Sequence, residues 1–202
     1  MNHPHSNAPA HGQDGHPGHP EKANTIRLVA WETTRRCNLN CKHCRAFAEN
    51  HPYDNELDTK ASFRLLDQIR EVGNPIIILT GGEPLLRDDI FDIAAYGTKI
   101  GLRMVMAPNG TLITKENAEQ TKASGIKRIS VSLDGSTSET HDNFRGQKNA
   151  FTNAIRGIKL AREAGLEFQI NTVITKTNLT EIPKILSLAE ELGATGLDQD
   201  EE

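Results

Sequence analysis

Long apolar runs and an excess of basic residues are both missing from this sequence. No uninterrupted apolar stretch approaches the roughly 20 residues that span a bilayer, and the amino terminus has no apolar signal core. The chain carries 23 lysines and arginines against 27 acidic residues. A surface for nucleic acid or for an anionic membrane would need a basic excess concentrated on one face. We therefore expect a soluble cytoplasmic protein with neither nucleic acid nor a membrane as a partner.

Residues that can be buried are scarce at the amino terminus, where residues 1–24 are rich in proline, glycine, asparagine and histidine. A segment of this composition cannot form a packed core, so we predict a disordered, His-rich leader. Its histidines are His3, His5, His11, His16 and His19. They fit a solvated tail, and the alternative is weak metal buffering or delivery. Residues 25–197 fit one domain of ordinary size despite the few aromatic residues.

Cysteine is also scarce, and the three cysteines lie within eight residues, as Cys37, Cys41 and Cys44. A disulfide explains them badly, because one thiol would be left over and neighbours this close rarely meet disulfide geometry. A metal centre explains them better, and free clustered thiols agree with a reducing compartment. Zinc would need a fourth ligand, which His43 or His51 could supply, but no second CxxC pair follows. A [4Fe-4S] cluster with one open iron uses all three thiols.

Short apolar stretches then alternate with amphipathic segments of helical period. The predicted strands are Leu28–Trp31, Ile76–Leu79, Leu102–Met106, Lys127–Leu133 and Glu167–Ile174. The predicted helices are Thr59–Val72, Asp88–Thr98, Lys115–Ala123, Asn149–Ala164 and Glu181–Leu192. This alternation predicts an α/β fold, a partial (β/α) barrel of parallel strands with about five units. The all-apolar second strand is typical of a parallel strand covered on both faces.

Polar motifs follow the predicted strands at their carboxyl ends, where the active groups of such barrels gather. The cysteine loop follows the first strand, Gly81-Gly82-Glu83-Pro84 the second, Pro108-Asn109-Gly110 the third and Asp134-Gly135 the fourth. Each motif alone fits an ordinary turn. Ser132 shares a face with Asp134 by strand alternation, and Asn171 lies on the fifth strand. Asn109 and Asn171 have a second explanation, in which they only satisfy backbone groups. Together the motifs predict a site on one rim.

The spacing CxxxCxxC followed by Gly-Gly-Glu-Pro resembles the radical S-adenosylmethionine (SAM) enzymes. Within that superfamily, residues 28–37 and 41–46 most resemble the haem synthase of the alternative, sirohaem-dependent haem pathway. Relatives in haem d1 synthesis and in peptide maturation come next. The resemblance extends from residue 28 to residue 197. It implies a [4Fe-4S] cluster on Cys37, Cys41 and Cys44, SAM as cofactor, and an adenosyl radical that starts the oxidative decarboxylation of porphyrin propionates.

The same resemblance implies a set of contacts to SAM. The Glu83 carboxylate and its turn would hold the methionine amino group, and the planar guanidinium of Arg145 would pair with the SAM carboxylate. His43 stands where an aromatic ring often lies near adenine in these enzymes. Strand alternation, apart from the resemblance, would let Ser132 or Asp134 reach the ribose or a carboxylate. The candidate cofactor-binding residues are Gly81, Gly82, Glu83, Asn109, Ser132, Asp134, Arg145, Asn171 and His43.

The chain departs from the family in two places. Asn149-Ala150 precede Phe151 where a glycine and a small hydroxyl residue are common, so the local helix cap differs. After Leu197 the family continues with an apolar strand, further helix and a cysteine-rich domain that carries an additional cluster. Residues 198–202 include four acids, which is untypical of a buried parallel strand. We therefore expect a non-family acidic tail, an open edge on the fifth strand, and a truncated, impaired enzyme.

These patterns predict a radical SAM enzyme of haem biosynthesis that acts on a porphyrin or another small molecule. An electron donor such as flavodoxin or ferredoxin would reduce the cluster. A peptide-maturing or haem d1-type radical SAM enzyme is one alternative. Another is a non-catalytic fragment that binds the cluster and has no closed substrate pocket.

Overall fold

The structure, a computed structural model, describes residues 26–201, with side chains described for residues 26–196. The predicted leader, residues 1–24, lies outside the described residues. Six parallel strands form one sheet in the order β1-β2-β3-β4-β5-β6. They are β1 (Leu28–Thr34), β2 (Ile76–Gly81), β3 (Arg103–Met106), β4 (Arg128–Ser132), β5 (Glu167–Ile174) and β6 (Leu197–Glu201). Each strand therefore pairs with the next strand along the chain.

Helices connect each strand to the next. Between β1 and β2, the long cysteine loop comes before the helix. They are α1 (Thr59–Val72), α2 (Ile90–Lys99), α3 (Lys115–Ala123), α4 (Ser138–Arg145), α5 (Ala150–Glu163) and α6 (Ile182–Leu192). Since consecutive strands are neighbours, right-handed crossovers place the helices on the same face of the sheet. The predicted α/β partial barrel is confirmed, with six strands in place of five. None of the helices among the described residues has the length and apolar character to cross a membrane.

The helix-covered face of the sheet forms the hydrophobic core. Ile77 and Leu79 of β2 are fully buried, as is Ile158 of α5, and Phe168 of β5 is almost fully buried. All four belong to one cluster of buried side chains. Their strand neighbours point to the opposite face because side chains alternate along a strand. Ile78 is therefore only half-buried. The prediction that β2 is covered on both faces is wrong for the described part of the chain.

The acidic end of the chain forms a strand. β6 pairs in parallel with β5, from the Ile170–Leu197 pair to the Ile174–Glu201 pair. The prediction of an open edge on β5 is therefore wrong, and Leu197–Glu201 form a strand where the acidic tail was expected. The ladder joins main-chain groups, so acidic side chains do not prevent it. β6 lies at an edge of the sheet, where charged side chains are common.

One helix, α4, was not predicted from the sequence. The Thr137 side chain caps its first turn, and it ends at Gly146 with a left-handed φ of 65°. Both are ordinary helix signals, but the polar residues between them give little apolar periodicity. Asp142 of α4 in turn caps α5, because its carboxylate accepts the backbone N–H groups of Asn149 (2.7 Å) and Phe151 (2.8 Å). The unusual residues before Phe151 are thus capped by the preceding helix.

Candidate functional site

A cavity of about 720 Å³ lies at the carboxyl ends of the strands, against the face of the sheet opposite the core. Thr80 of β2, Ser132 of β4 and Asn171 of β5 belong to its wall. Ten of the twelve site residues predicted from the sequence line it, and they are Cys37, Cys41, His43, Cys44, Gly81, Gly82, Asn109, Ser132, Arg145 and Asn171. The other two, Glu83 and Asp134, are fully buried outside this lining. One rim therefore collects the motifs, as predicted.

Each of the three thiols receives an N–H group. The Cys37 sulfur accepts from the backbone N–H of Leu39 at 3.4 Å, and the Cys44 sulfur accepts from that of Ala48 at 3.4 Å. The Cys41 sulfur accepts from Nη1 of the Arg145 guanidinium at 3.8 Å. Hydrogen bonds of this kind surround thiolates that bind iron–sulfur clusters and tune the cluster.

The arrangement of the thiols favours a cluster over zinc. Among residues 26–196, whose side chains are described, no group of three His, Cys, Asp or Glu side chains converges on a point that could hold one metal ion. His43 packs its ring on Phe144, with 4.3 Å between ring centroids. His51 lies 3.2 Å from the Glu49 carboxylate, and about half of its side chain is exposed. Zinc requires four ligands within about 2.3 Å of one ion, whereas a cluster presents a separate iron to each thiol.

Burial raises the pKa of the Cys37 thiol to about 11. Burial also raises the pKa of the Cys41 thiol, against the opposing effect of the Arg145 charge. Both thiols hold their protons at neutral pH, so binding a metal at this loop would release protons.

The glycines of the Gly81-Gly82-Glu83-Pro84 turn allow it to lie against the chain segment that leads into Cys37. Gly82 N–H donates to the Thr34 carbonyl at 2.7 Å, and Glu83 N–H donates to the Arg36 carbonyl at 2.8 Å. A Cβ atom on Gly81 would lie 2.3 Å from the Thr34 oxygen, and one on Gly82 would lie 2.3 Å from the Arg36 oxygen. The sequence argument assigned the glycines to ligand approach. The glycines are also required for the close contact between the backbone of this turn and the backbone of residues 34–36.

The Glu83 carboxylate points into the protein and joins two turns. It accepts the backbone N–H of Leu85 at 3.0 Å and that of Asn109 at 2.7 Å. Burial raises the pKa of Glu83 to about 7, although these two hydrogen bonds act in the opposite direction. Both carboxylate oxygens are thus engaged by the backbone. The geometry gives Glu83 the task of holding the turns after β2 and β3 together.

Asn109 connects the turn after β3 to the cysteine loop. Its Nδ2 donates to Asn38 Oδ1 at 2.9 Å and lies 4.0 Å from the Cys37 sulfur. Asn38 Nδ2 in turn donates to Thr111 Oγ1 at 2.9 Å. Asn38 and Thr111 were missed by the sequence analysis. The position of Asn38 beside a predicted metal ligand was the one signal that pointed to it.

Ser132 and Asp134 separate at the end of β4. Ser132 pairs in register with Asn171 of β5, and both line the cavity. Asp134 instead turns inward, where its Oδ1 accepts the backbone N–H of Val173 at 2.9 Å and its carboxylate pairs with Arg145. The strand ends at Ser132, so strand alternation no longer applies at Asp134.

The carboxyl-terminal end of α4 packs on the cysteine loop. The backbone N–H of Lys42 donates to the Phe144 carbonyl at 3.3 Å, and Lys42 Nζ donates to Asn143 Oδ1 at 2.7 Å. A Cβ atom on Gly146 would lie 2.1 Å from the Asn40 carbonyl oxygen. These contacts were missed because the helix itself was missed.

The fold and the sequence of this chain are similar to those of known proteins. SuiB of Streptococcus suis, in a crystal structure with bound S-adenosylmethionine, shares the fold with a TM-score of 0.75 and 22% identity, over 88% of this chain and 40% of SuiB. The chain is 48% identical over 203 residues to the AdoMet-dependent heme synthase of Oleidesulfovibrio alaskensis, which covers 96% of this chain and 52% of that protein. It is 43% identical over 164 residues to the Fe-coproporphyrin III synthase of Methanosarcina barkeri, over 81% of this chain and 41% of that protein. The chain thus spans about half the length of the curated relatives it matches.

The family assignment extends over most of the described residues. Residues 31–189, from β1 to α6, match the Radical SAM superfamily. That superfamily uses a [4Fe-4S] cluster and SAM, so the prediction of these two cofactors is confirmed at the level of the family. The fold, the relatives and the matched segment agree, and the chain belongs to the radical SAM superfamily.

Proposed function

We propose that Cys37, Cys41 and Cys44 bind three irons of a [4Fe-4S] cluster and that SAM binds in the adjoining cavity. The observation that carries the proposal is that three thiols, each supported by an N–H donor, meet the polar ends of the strands around one cavity. When bound, the cluster supplies the electron that cleaves SAM to methionine and a 5′-deoxyadenosyl radical, which takes a hydrogen atom from the substrate. The residues of the chain position the cofactors and exclude water.

The cavity wall offers hydrogen-bonding groups for SAM. Gly81 and Gly82 line it, and we assign their backbone carbonyls to the ammonium of the methionine moiety, with Glu83 fixing the turn from behind. Ser132 and Asn171 stand side by side on neighbouring strands, so a hydroxyl and an amide face the cavity together. These two groups fit the hydroxyls of a ribose or the oxygens of a carboxylate. His43 supplies a ring at the wall for the adenine.

The proposed reaction of the whole protein is the oxidative decarboxylation of iron-coproporphyrin III in haem biosynthesis. The activity named for the 48% identical relative supports it. Removal of a hydrogen atom from the β-carbon of a propionate, followed by loss of carbon dioxide, leaves a vinyl group when one electron passes to an acceptor. We assign the acceptor role to the additional cluster of the family's cysteine-rich domain. Two such events convert the substrate to haem. Reduction by flavodoxin or ferredoxin would supply electrons to the cluster. A second candidate is formation of iron-coproporphyrin III, the activity named for the 43% identical relative.

Isotope transfer tests the substrate. The chain is reconstituted anaerobically with iron and sulfide and incubated with SAM, dithionite and iron-coproporphyrin III that carries deuterium on the β-carbons of its propionates. We expect deuterium in the 5′-deoxyadenosine, measured by mass spectrometry, and no 5′-deoxyadenosine from the Cys41→Ala variant. Unlabelled 5′-deoxyadenosine as the product would contradict the propionate as hydrogen donor. Label transfer from a deuterated peptide in place of the porphyrin would move the function to peptide maturation.

A further inference from the structure

Arg145 is a buried cation whose guanidinium already has two partners. The residue is 8% exposed. Its Nη1 donates to the Cys41 sulfur at 3.8 Å, and its Nη2 pairs with the Asp134 carboxylate. Its Nε is buried without a hydrogen-bond partner among the described residues. Two of the five N–H donors of the guanidinium are therefore engaged by neighbours within the protein, one by a predicted cluster ligand and one by a buried carboxylate.

Asp134 is held in place from three sides. Its Oδ1 accepts the backbone N–H of Val173 in β5 at 2.9 Å, and its own backbone N–H donates to Nδ1 of His141 in α4 at 3.1 Å. Its carbonyl accepts from Nδ2 of Asn178 at 3.0 Å. A carboxylate anchored in this way gives the guanidinium a fixed position and offsets its charge, as a buried cation requires.

The helix that carries Arg145 is also fixed against the cysteine loop. Phe144, the residue before it, accepts the backbone N–H of Lys42, and Gly146, the residue after it, lies directly against Asn40. Arg145 thus stands between two points of contact with the loop that carries Cys41. These contacts hold the backbone of Arg145 beside that loop, within reach of the Cys41 sulfur.

We propose that Arg145 is a positioning residue for the cluster, which donates an N–H···S hydrogen bond to the Cys41 ligand, and that Asp134 holds it there and offsets its charge. The inference rests on the proposed cluster site and adds to it. Hydrogen bonds and positive charge at a ligand sulfur stabilise the reduced, more negative cluster and raise its reduction potential. Arg145 therefore raises the potential of the cluster, and the Asp134 charge opposes this effect.

Two substitutions with opposite expected signs test the proposal. The wild-type chain, Arg145→Gln and Asp134→Asn are reconstituted with iron and sulfide, and the midpoint potential is measured by EPR-monitored redox titration without SAM. We expect a lower potential for Arg145→Gln. We expect a higher potential for Asp134→Asn, because the carboxamide oxygen still accepts the Val173 N–H while the negative charge is gone. Arg128→Gln is the matched control, since Arg128 pairs with Glu167 (2.8 Å) at the opposite ends of β4 and β5, and it should leave the potential unchanged.

The possible outcomes distinguish a failure of this inference from a failure of the proposed cluster site. An unchanged potential in Arg145→Gln, with weaker binding of SAM, would overturn the inference and make Arg145 a contact of SAM. A lower potential in both variants would overturn the role given to Asp134. If Arg145→Gln takes up no cluster, the sign of the Asp134→Asn shift decides. If the wild-type chain takes up no iron, the proposed cluster site fails, and this inference fails with it.

Discussion

The two faces of the sheet differ in what covers them and in what they require of the sequence. On the helix-covered face, side chains such as Ile77 and Ile170 are fully buried in the core. On the other face, Ser132 and Asn171 line the cavity together with the cysteine loop. Consecutive residues of one strand can therefore have different roles: Ile170 packs in the core, and Asn171 lines the cavity. One face contributes to the free energy of folding, and the other provides the chemistry.

The difference also explains why residues of the two faces were predicted from different sequence signals. A face packed on helices leaves a periodic apolar pattern, which predicts a strand. A face that lines a cavity has no such requirement. Its residues were found because polar motifs recur at the carboxyl ends of parallel strands, where active groups gather.

The largest expected effect is on stability, and it compares two neighbours in β2. Ile77 is fully buried against the helices, whereas Ile78 is half-buried on the cavity face. We expect Ile77→Ala to lower the free energy of unfolding by about 2–5 kcal/mol, because it leaves a cavity in the packed core. Ile78→Ala should cost less, about 1–2 kcal/mol, since its side chain is only partly buried. Urea unfolding of the two variants measures the difference.

Each Ile variant is the control for the other, because both remove the same atoms from the same strand. Equal losses of stability would mean that the two faces are equally well packed, and would contradict the distinction between them.

A smaller effect concerns His141, a polar residue that is almost fully buried at 1% exposure. Burial and the Arg145 charge lower its pKa from 6.5 to about 4, against the opposing effects of Asp134 and Asp142. Between these pH values the folded state binds fewer protons than the unfolded state. The free energy of unfolding should therefore decrease as the pH falls from 6.5 to 4, by at most about 1.4 kcal/mol per pH unit.

Substitution isolates the His141 contribution. Glu83, with a pKa raised from 4.5 to about 7, produces the opposite slope over much of this range. The slope of Glu83 is common to both proteins, so we compare wild type with His141→Gln, which keeps a side-chain acceptor for the Asp134 N–H. The stability of the wild type relative to the variant should fall as the pH falls. A difference that does not change with pH would show that His141 titrates normally.

Much of the fold follows from local sequence signals. The predicted bounds of α1, α3 and β5 are those of the structure, because caps at Asp58 and Thr114 and a glycine before β5 mark where these elements begin and end. β6 was not predicted because its acidic residues suggested solvent, and its backbone pairing does not depend on side-chain polarity. α4 was not predicted because its packing on the cysteine loop replaces an apolar stripe.

Ten of the twelve residues predicted for the site line one cavity, whereas their roles toward a ligand stay predictions. Strand ends and the cysteine spacing identified which residues meet, because position on a parallel sheet fixes which loops are neighbours. The directions of Glu83 and Asp134 depend on hydrogen bonds to Asn109 and Val173, which are distant in sequence. Such contacts leave no local pattern, so both residues were expected at the cavity and are instead buried outside its lining.

The central claim, that the cysteine loop binds a [4Fe-4S] cluster, is tested most directly by anaerobic reconstitution. We predict that the wild-type chain takes up roughly four iron and four sulfide ions and turns brown, with a broad charge-transfer absorption. His51→Ala should behave like wild type, because His51 is an exposed partner of Glu49, whereas Cys41→Ala should lose the absorption. Stoichiometric binding of zinc, without uptake of iron by the metal-free chain, would contradict the account.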